Sequence, residues 1–298
     1  MSDSPSSVAV VGVGAVGGYF AAEAWRAGND ISLCVRTPFD ALVVETNGET
    51  IEVGAAVHTD PSQVGHHDWV FLATKAHQTP AAAHWLEHLC GDRTVVVVLQ
   101  NGVEHHESVG HLAGLASVLP AVVRYGGEAV GPGHIRHHTY GYLHVPEGRE
   151  GRRLADLFEG SRVEVHQTAT FEYEAWSKLV TNVAANAIPA LTLRRFPVFR
   201  RADVAALARG LMLECIAVGR GEGVDLPESL ANSEIERMAA LPESVGSSML
   251  YDRLAGRTLE YDALNGAVTR GGERHGIPTP LNSAVVALLA AISETAGP

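Results

Sequence analysis

The chain has 298 residues, 46% of them hydrophobic, and a formal net charge of −12. That length allows two ordinary domains or one large one, and the apolar content is ample for a core, so wholesale disorder is excluded. The acidic balance, with no Lys/Arg run and no basic helix face, argues against a nucleic-acid partner.

In chain order, the polar start MSDSPSS carries no basic residue and leads into a glycine-rich run, unlike a signal peptide. SVAVVGVG reads as a strand, AVGGYFAAEAWRAG as a helix ending at Gly28, and DISLCVR as a second strand. DWVFLAT, TVVVVLQNG and SVLPAVV follow as further strands, with helical or loop connectors between the runs. Near-continuous apolar strands separated by helices imply a parallel sheet covered on both faces. Around 120 to 165 the texture changes: RYGGEAVGPGHIRHHTYGYLHVP is rich in Gly, Tyr and Thr, which suggests late, partly antiparallel strands. From about Thr168 the pattern is helical, with Ala/Leu-rich segments over 170–188, 202–222, 228–240 and 281–295. Breaks are expected at Pro189, Pro197, Pro227, Pro242 and Pro278. The expected fold class is α/β: an N-terminal domain with a parallel sheet over 1–167, then an all-α C-terminal domain over 168–298.

The most apolar helical stretch, SAVVALLAAI, is too short to span a bilayer, so no membrane partner is expected. Three scattered cysteines, Cys34, Cys90 and Cys215, lack CxxC spacing and fit a reducing compartment. A soluble cytoplasmic protein is the expectation.

The chemistry begins with VAVVGVGAVGGYF, which places Gly12, Gly14 and Gly17 between a predicted strand and a predicted helix. Gly12 permits the tight turn, Gly14 lets backbone approach a pyrophosphate, and Gly17 allows close helix–strand packing. The intervening Val13, Ala15 and Val16 complete the loop, and the helix N-terminus offers free N–H groups to an anion. The strand–turn–helix context is what this motif requires. A plain tight turn, or another nucleotide-like ligand such as S-adenosylmethionine, is the alternative.

An NAD-binding chain usually places Asp or Glu about 20 residues past the glycines, on the ribose 2′-OH. Here LCVRTP offers Arg36, whose planar fork of donors suits a 2′-phosphate, so NADP(H) is the expected cofactor. The bland reading is a solvated arginine ending a strand. Two more loops follow predicted parallel strands, where open α/β sheets bind ligands. FLATKAHQT carries Lys75 and Gln78; VVVVLQNGVE carries Gln100, Asn101 and Gly102. Each is as readily a helix cap or turn as a contact to cofactor or substrate.

In WSKLVTNVAANAIPAL, apolar residues cover the predicted helix on nearly every side, yet Lys178, Asn182 and Asn186 stack four apart as one polar stripe. Reducing a ketone needs a proton at oxygen and a positive donor near the developing alkoxide, and a lysine ammonium supplies both. Asn182 and Asn186 then hold the substrate, the lysine or the nicotinamide ribose. The alternative is a snorkelling lysine with two ordinary polar neighbours. Further on, SSMLYDRLAGRTLEYDALNG offers Ser248, which can start a helix or bind a carboxylate, and Glu260, which opens a helix bearing Asp262 and Asn265. A glutamate there also simply suits the helix dipole.

Adjacent histidines (His66/His67, His105/His106, His137/His138) point to different sides of a strand or helix, and no H-E-x-x-H is present, so no metal is expected. No G-x-S-x-G elbow supports a serine hydrolase.

The chain resembles the ketopantoate reductase (2-dehydropantoate 2-reductase) family over nearly its full length. The matching residues are GVGAVGGYF, the VR at Arg36, TKAHQ, QNG, WSKLVTNVAANA and SSMLYDRLAGRTLEYDALNG. The resemblance implies a Rossmann domain and a helical domain with the active site in the cleft between them. It implies Lys178 as general acid, and Glu260 as an aid to substrate binding and proton transfer that also borders the cofactor. It implies Ser248 on the substrate carboxylate, and Asn101, Asn182 and Asn186 lining the same pocket, with Asn101 also against the cofactor. Arg36 and Lys75 are implied on NADPH phosphates, with Gln78 in the same cofactor site. The implied reaction is NADPH-dependent reduction of a 2-oxo acid, with 2-dehydropantoate to (R)-pantoate in pantothenate biosynthesis as its leading form. One departure is PALTLRRFPVFRR, which has arginines where relatives acting on ketopantoate often carry an asparagine. A different branched or aromatic 2-oxo acid therefore stays open, as does a non-catalytic NADP(H)-sensing module. The late Ala/Leu-rich helices suit packing within the domain or against a second subunit, so a homodimer is one of two arrangements they allow.

Overall fold

The computed structural model describes residues 5–294. The start MSDS and the last residue of the helix expected over 281–295 lie outside them. The chain forms two compact units, Met1–Phe171 and Glu172–Pro298.

The first unit runs β1 (Ser7–Val11), α1 (Ala15–Arg26), β2 (Asp30–Cys34), β3 (Leu42–Thr46), β4 (Glu49–Val53), β5 (Ala56–His58) and β6 (Trp69–Leu72). It continues through α2 (Thr79–Leu89), β7 (Val95–Val98), α3 (His105–Val109), β8 (Ser117–Pro120), β9 (Val122–Gly131), β10 (His134–Pro146), α4 (Arg149–Leu157) and β11 (Glu164–Thr168). Six strands make one sheet in the order β5-β2-β1-β6-β7-β8, every pair parallel. In order of arrival this is 3-2-1-4-5-6, the doubly wound Rossmann order, whose direction reverses between β1 and β6.

Alternate residues of the same strands feed two cores. Val8, Val10, Leu33 and Phe71 pack on one face with Tyr19 and Phe20 of α1. Ala9, Val11, Val70 and Leu72 pack on the other with Leu86 and Leu89 of α2. Each fully buried Val, Leu or Phe contributes roughly 1.5–3 kcal/mol, so a polar replacement at any of these core positions is costly. That two-sided burial is why these strands read as unbroken apolar runs rather than alternating ones.

The stretch between β2 and β6 corrects the expected helical or loop connectors. It holds the antiparallel hairpin β3–β4 and the edge strand β5. Asn47 and Gly48, at φ +49° and +77°, turn the hairpin. An Asn-Gly pair between strands favours just this two-residue turn. The run SVLPAVV also divides: β8 stays in the parallel sheet, while β9 joins a second sheet ordered β11-β10-β3-β4, pairing antiparallel with β10. The partly antiparallel character expected of 124–146 is thus observed.

The second unit is helical. It contains α5 (Phe171–Ala185) from its second residue on, then α6 (Ala187–Thr192), α7 (Ala202–Gly221), α8 (Ser229–Ala239), α9 (Ser248–Leu254), α10 (Ala267–His275) and α11 (Pro280–Ser293). A 3₁₀ turn spans Phe196–Arg200 and a π-helical turn spans Asp262–Gly266. The break expected at Pro189 falls instead at Asn186, and Pro189 lies inside α6. Proline lacks the N–H that would bond the carbonyl four residues back, so the ladder weakens a turn before the proline itself. Glu260 does not open its helix, which starts at Tyr261. Among the described residues, no helix is long and apolar enough to cross a membrane.

Candidate active site

The glycine loop lies where the sheet reverses. Gly12 follows β1 at φ +92°, and a Cβ there would lie 2.7 Å from the Thr74 nitrogen, which follows β6. The Gly12 N–H donates to the Cys34 carbonyl at the end of β2, 3.1 Å away, which fixes the turn between the two strands. At Gly17 a Cβ would fall 2.1 Å from the Gly12 carbonyl oxygen, so α1 approaches the loop as closely as it does only without a side chain. Gly14 differs: nothing lies within 4 Å of its Cβ position. The loop is tight beneath and open above. Val13 and Val16 pack down against the core.

Helix α1 begins with no side-chain cap and no acidic residue in its first turn. The N–H groups of Ala15, Val16 and Gly17 lack intrahelical partners by helix geometry, and the helix dipole adds partial positive charge there. Open space over Gly14 and uncapped donors around it fit a pyrophosphate.

Arg36 is exposed two residues past β2 and makes no hydrogen bond or ion pair among the described residues, so its fork of donors is available. Lys75 is half-buried after β6. Gln78 folds back on the same loop, its Oε1 accepting from the Lys75 N–H at 3.4 Å. Asn101 follows β7, beside Gly102 at φ +116°.

Gln100 is buried and turned inward. Its Nε2 donates to the Thr74 carbonyl and Thr74 Oγ1, both at 3.0 Å, and to Thr79 Oγ1 at 2.9 Å. It ties the loop after β7 to the loop after β6, a positioning part that the sequence leaves indistinguishable from a ligand contact.

In the second unit, helix α5 carries the polar stripe. Trp176, Leu179, Val180, Val183 and Ala184 are buried around it, while Lys178 and Asn182 are half-buried. Asn186 is buried at the break that ends α5. Its Oδ1 accepts from Ser248 Oγ at 3.2 Å and from the Met249 N–H at 3.4 Å. Ser248 is the first residue of α9 and Ser247 is its cap, accepting from the Leu250 N–H at 3.3 Å. Capping therefore falls to Ser247, which leaves the exposed Ser248 hydroxyl at a helix N-terminus. Glu260 is buried just before the π-helical turn. The structure thus brings Asn186 and Ser248 together across 62 residues of sequence.

Other chemistry is weakly supported. Among the described residues, no group of three or more His, Cys, Asp or Glu is placed to hold a metal ion. Burial pushes the Cys34 thiol up to about 12 and Cys90 up to about 11, so neither is a ready thiolate. A cavity of about 380 Å³ in the first unit is lined by residues including Tyr19, His137, Tyr142 and Arg162, none of which belongs to the candidate set.

A glycine cradle at the switch point of a doubly wound sheet, followed by a separate helical unit, is the plan of a dinucleotide-dependent oxidoreductase. Comparison narrows the class. A family model described as ketopantoate reductase PanE/ApbA matches residues 8–150, and its C-terminal counterpart matches residues 170–293. The 2-dehydropantoate 2-reductase of Caulobacter vibrioides is 41% identical over 95% of this chain and 98% of its own. The crystal structure of a PanE/ApbA family ketopantoate reductase from Ralstonia eutropha superposes with a TM-score of 0.89 at 35% identity, covering 97% of this chain and 98% of that one. A dimeric ketopantoate reductase from Staphylococcus aureus gives 0.88 at 25% identity, covering 98% of this chain and 100% of that one. The chain belongs to the ketopantoate reductase PanE/ApbA family.

Proposed function

We propose that this protein reduces a 2-oxo acid to the 2-hydroxy acid with NADPH, the substrate being 2-dehydropantoate and the product (R)-pantoate. NADPH when bound supplies the hydride that the carbonyl carbon accepts. The residues of this chain do the rest. Arg36 and Lys75 hold cofactor phosphates, and the loop from Gly12 to Gly17 accepts the pyrophosphate. Ser248 grips the substrate carboxylate, while Asn101, Asn182 and Asn186 supply further hydrogen bonds. Lys178 delivers the proton to the former carbonyl oxygen and its charge stabilises the alkoxide; Glu260 assists that transfer. Atoms balance: one hydride reaches carbon, one proton reaches oxygen, and the nicotinamide is oxidised.

The observation that carries this reading is the stripe. Lys178, Asn182 and Asn186 line up as polar groups beside the buried Trp176, Leu179, Val180, Val183 and Ala184, and Asn186 meets Ser248 at one end. A homodimer is part of the proposal, supported by the dimeric relative.

Lys178→Ala is the test. It is expected to lower kcat by about 10²–10⁴-fold while NADPH binding persists. A variant with the parent's full kcat would remove Lys178 from the proton transfer, whereas a parent that binds NADPH but turns over no 2-oxo acid would be an NADP(H) sensor. Turnover on 2-dehydropantoate beside a panel of branched and aromatic 2-oxo acids checks the substrate; a higher kcat/KM on another acid would reassign it.

A further inference from the structure

Asn265 lies in the π-helical turn Asp262–Gly266 and is wholly buried. Its Nδ2 donates to the Val183 carbonyl at 3.0 Å and to Asn282 Oδ1 at 2.9 Å. The direction of these bonds is forced. Asn282 Nδ2 is committed to two acceptors, the Leu211 carbonyl at 3.1 Å and Glu214 Oε2 at 2.8 Å. Its Oδ1 is therefore left as an acceptor, and Asn265 has to present its NH₂ group to it. The Asn265 Oδ1 then points the other way, buried and without a partner among the described residues.

An orphaned buried carbonyl is uncommon, and an apolar side chain of similar size would avoid it. What Nδ2 does accounts for keeping the amide. Val183 directly follows Asn182 and lies three residues before Asn186, at the break that ends α5. On the other side, the π-helical turn follows Glu260 after a single residue. Such turns are inserted where a helix must re-aim its side chains, and they collect at functional sites. One amide thus fastens the segment bearing Glu260 to the helix bearing Lys178, Asn182 and Asn186.

We propose that Asn265 is a positioning residue, whose bridge from the turn behind Glu260 to the Val183 carbonyl sets the polar stripe and the carboxylate in register. This rests on the reading of Lys178 and Glu260 as the reacting pair given above.

Asn265→Leu keeps the volume and removes the donor; Asn265→Ala serves the same purpose should the leucine fail to fold. In the full-length protein, thermal unfolding, NADPH affinity by fluorescence titration, and kcat and KM for 2-dehydropantoate are measured. Folded variants are expected to bind NADPH as the parent does and to lose about tenfold or more in kcat, with KM moving less than about threefold. In an Asn182→Ala background the same change is expected to cost less than about threefold more, because both act through one stripe. Unchanged kcat in a folded variant overturns the proposal, as do equal losses in both backgrounds. Failure of both variants to fold also overturns it, since Asn265 would then be a requirement of the fold alone. Lys178→Ala at full kcat would instead remove the underlying reading of the site.

Discussion

Ser248 Oγ and the Met249 N–H both donate to Asn186 Oδ1, at 3.2 and 3.4 Å. The amide's acceptor is thereby spent inside the protein, and its Nδ2, which makes no hydrogen bond among the described residues, is turned the other way as a donor. A fixed donor suits a substrate rich in oxygen acceptors. Asn186→Asp keeps the shape and the two accepted bonds but removes the donor and adds a charge that repels a carboxylate. KM for the 2-oxo acid is expected to rise by about tenfold or more, from a charge-assisted bond worth roughly 1.5–3 kcal/mol. Steady-state kinetics across substrate concentration checks this; an unchanged KM would place Asn186 outside the binding set.

The glycines of the loop separate fold from ligand. Gly17→Ala sets a Cβ 2.1 Å from a backbone oxygen that has nowhere to go. A loss of more than about 2 kcal/mol in unfolding free energy is expected from that overpacking. Gly14→Ala meets nothing within 4 Å, at a φ of −88° that any residue adopts. It is expected to fold as stably as the parent and to bind the dinucleotide about tenfold or more weakly, because the methyl fills space the pyrophosphate needs. Urea unfolding and a binding titration read the two outcomes separately. Equal affinity in Gly14→Ala would move the pyrophosphate off this turn.

Arg36, two residues past β2, has no partner among the described residues, at a position where a carboxylate would mark an NAD site. Arg36→Gln is expected to raise KM for NADPH by about 10–100-fold and leave NADH turnover nearly as it was, since only the 2′-phosphate loses its donors. Matched initial-rate series with the two cofactors test it. Equal loss with both would tie Arg36 to a phosphate they share.

The features legible in the sequence are those set by neighbours along the chain. The doubly wound sheet is readable because two-sided burial leaves its strands uniformly apolar, and the glycine loop because its turn and helix start fit into six residues. The β3–β4 hairpin escapes the reading by long apolar runs, although the alternation of buried Leu42, Val44 and Thr46 and the Asn47–Gly48 turn carry its signal. Asn265 showed no such signal. Its worth lies in a carbonyl 82 residues away, and a buried asparagine in an apolar run looks the same whether it holds two helices or none. Gln100 was ambiguous for the same reason: a glutamine after a strand serves a ligand or a neighbouring loop, and only the Thr74 and Thr79 oxygens decide.

The central strands of the first unit carry an acid-sensitive tie. Asp68, just before β6, accepts from both the N–H and the hydroxyl of Ser7 at the start of β1, through Oδ2 at 3.0 and 2.8 Å. The Ser7 hydroxyl in turn accepts from the Asp68 N–H at 2.9 Å. The Ser7 N–H, more than any other group, holds the Asp68 carboxyl below its usual range, with Arg153 and Arg93 adding attraction. A depressed carboxyl pKa means the folded state binds fewer protons than the unfolded one, so its stabilising effect is full above the unfolded value of about 3.9 and fades as pH falls through the lower folded value. Asp68→Asn carries no such titration. The gap in urea midpoint between parent and variant is therefore expected to be widest near neutrality and to close only as pH falls below about 3.9 and through the lower folded value. Denaturation series at several pH values measure that gap, and one that stays constant over the whole range would show that the charge on Asp68 does not join β1 to β6.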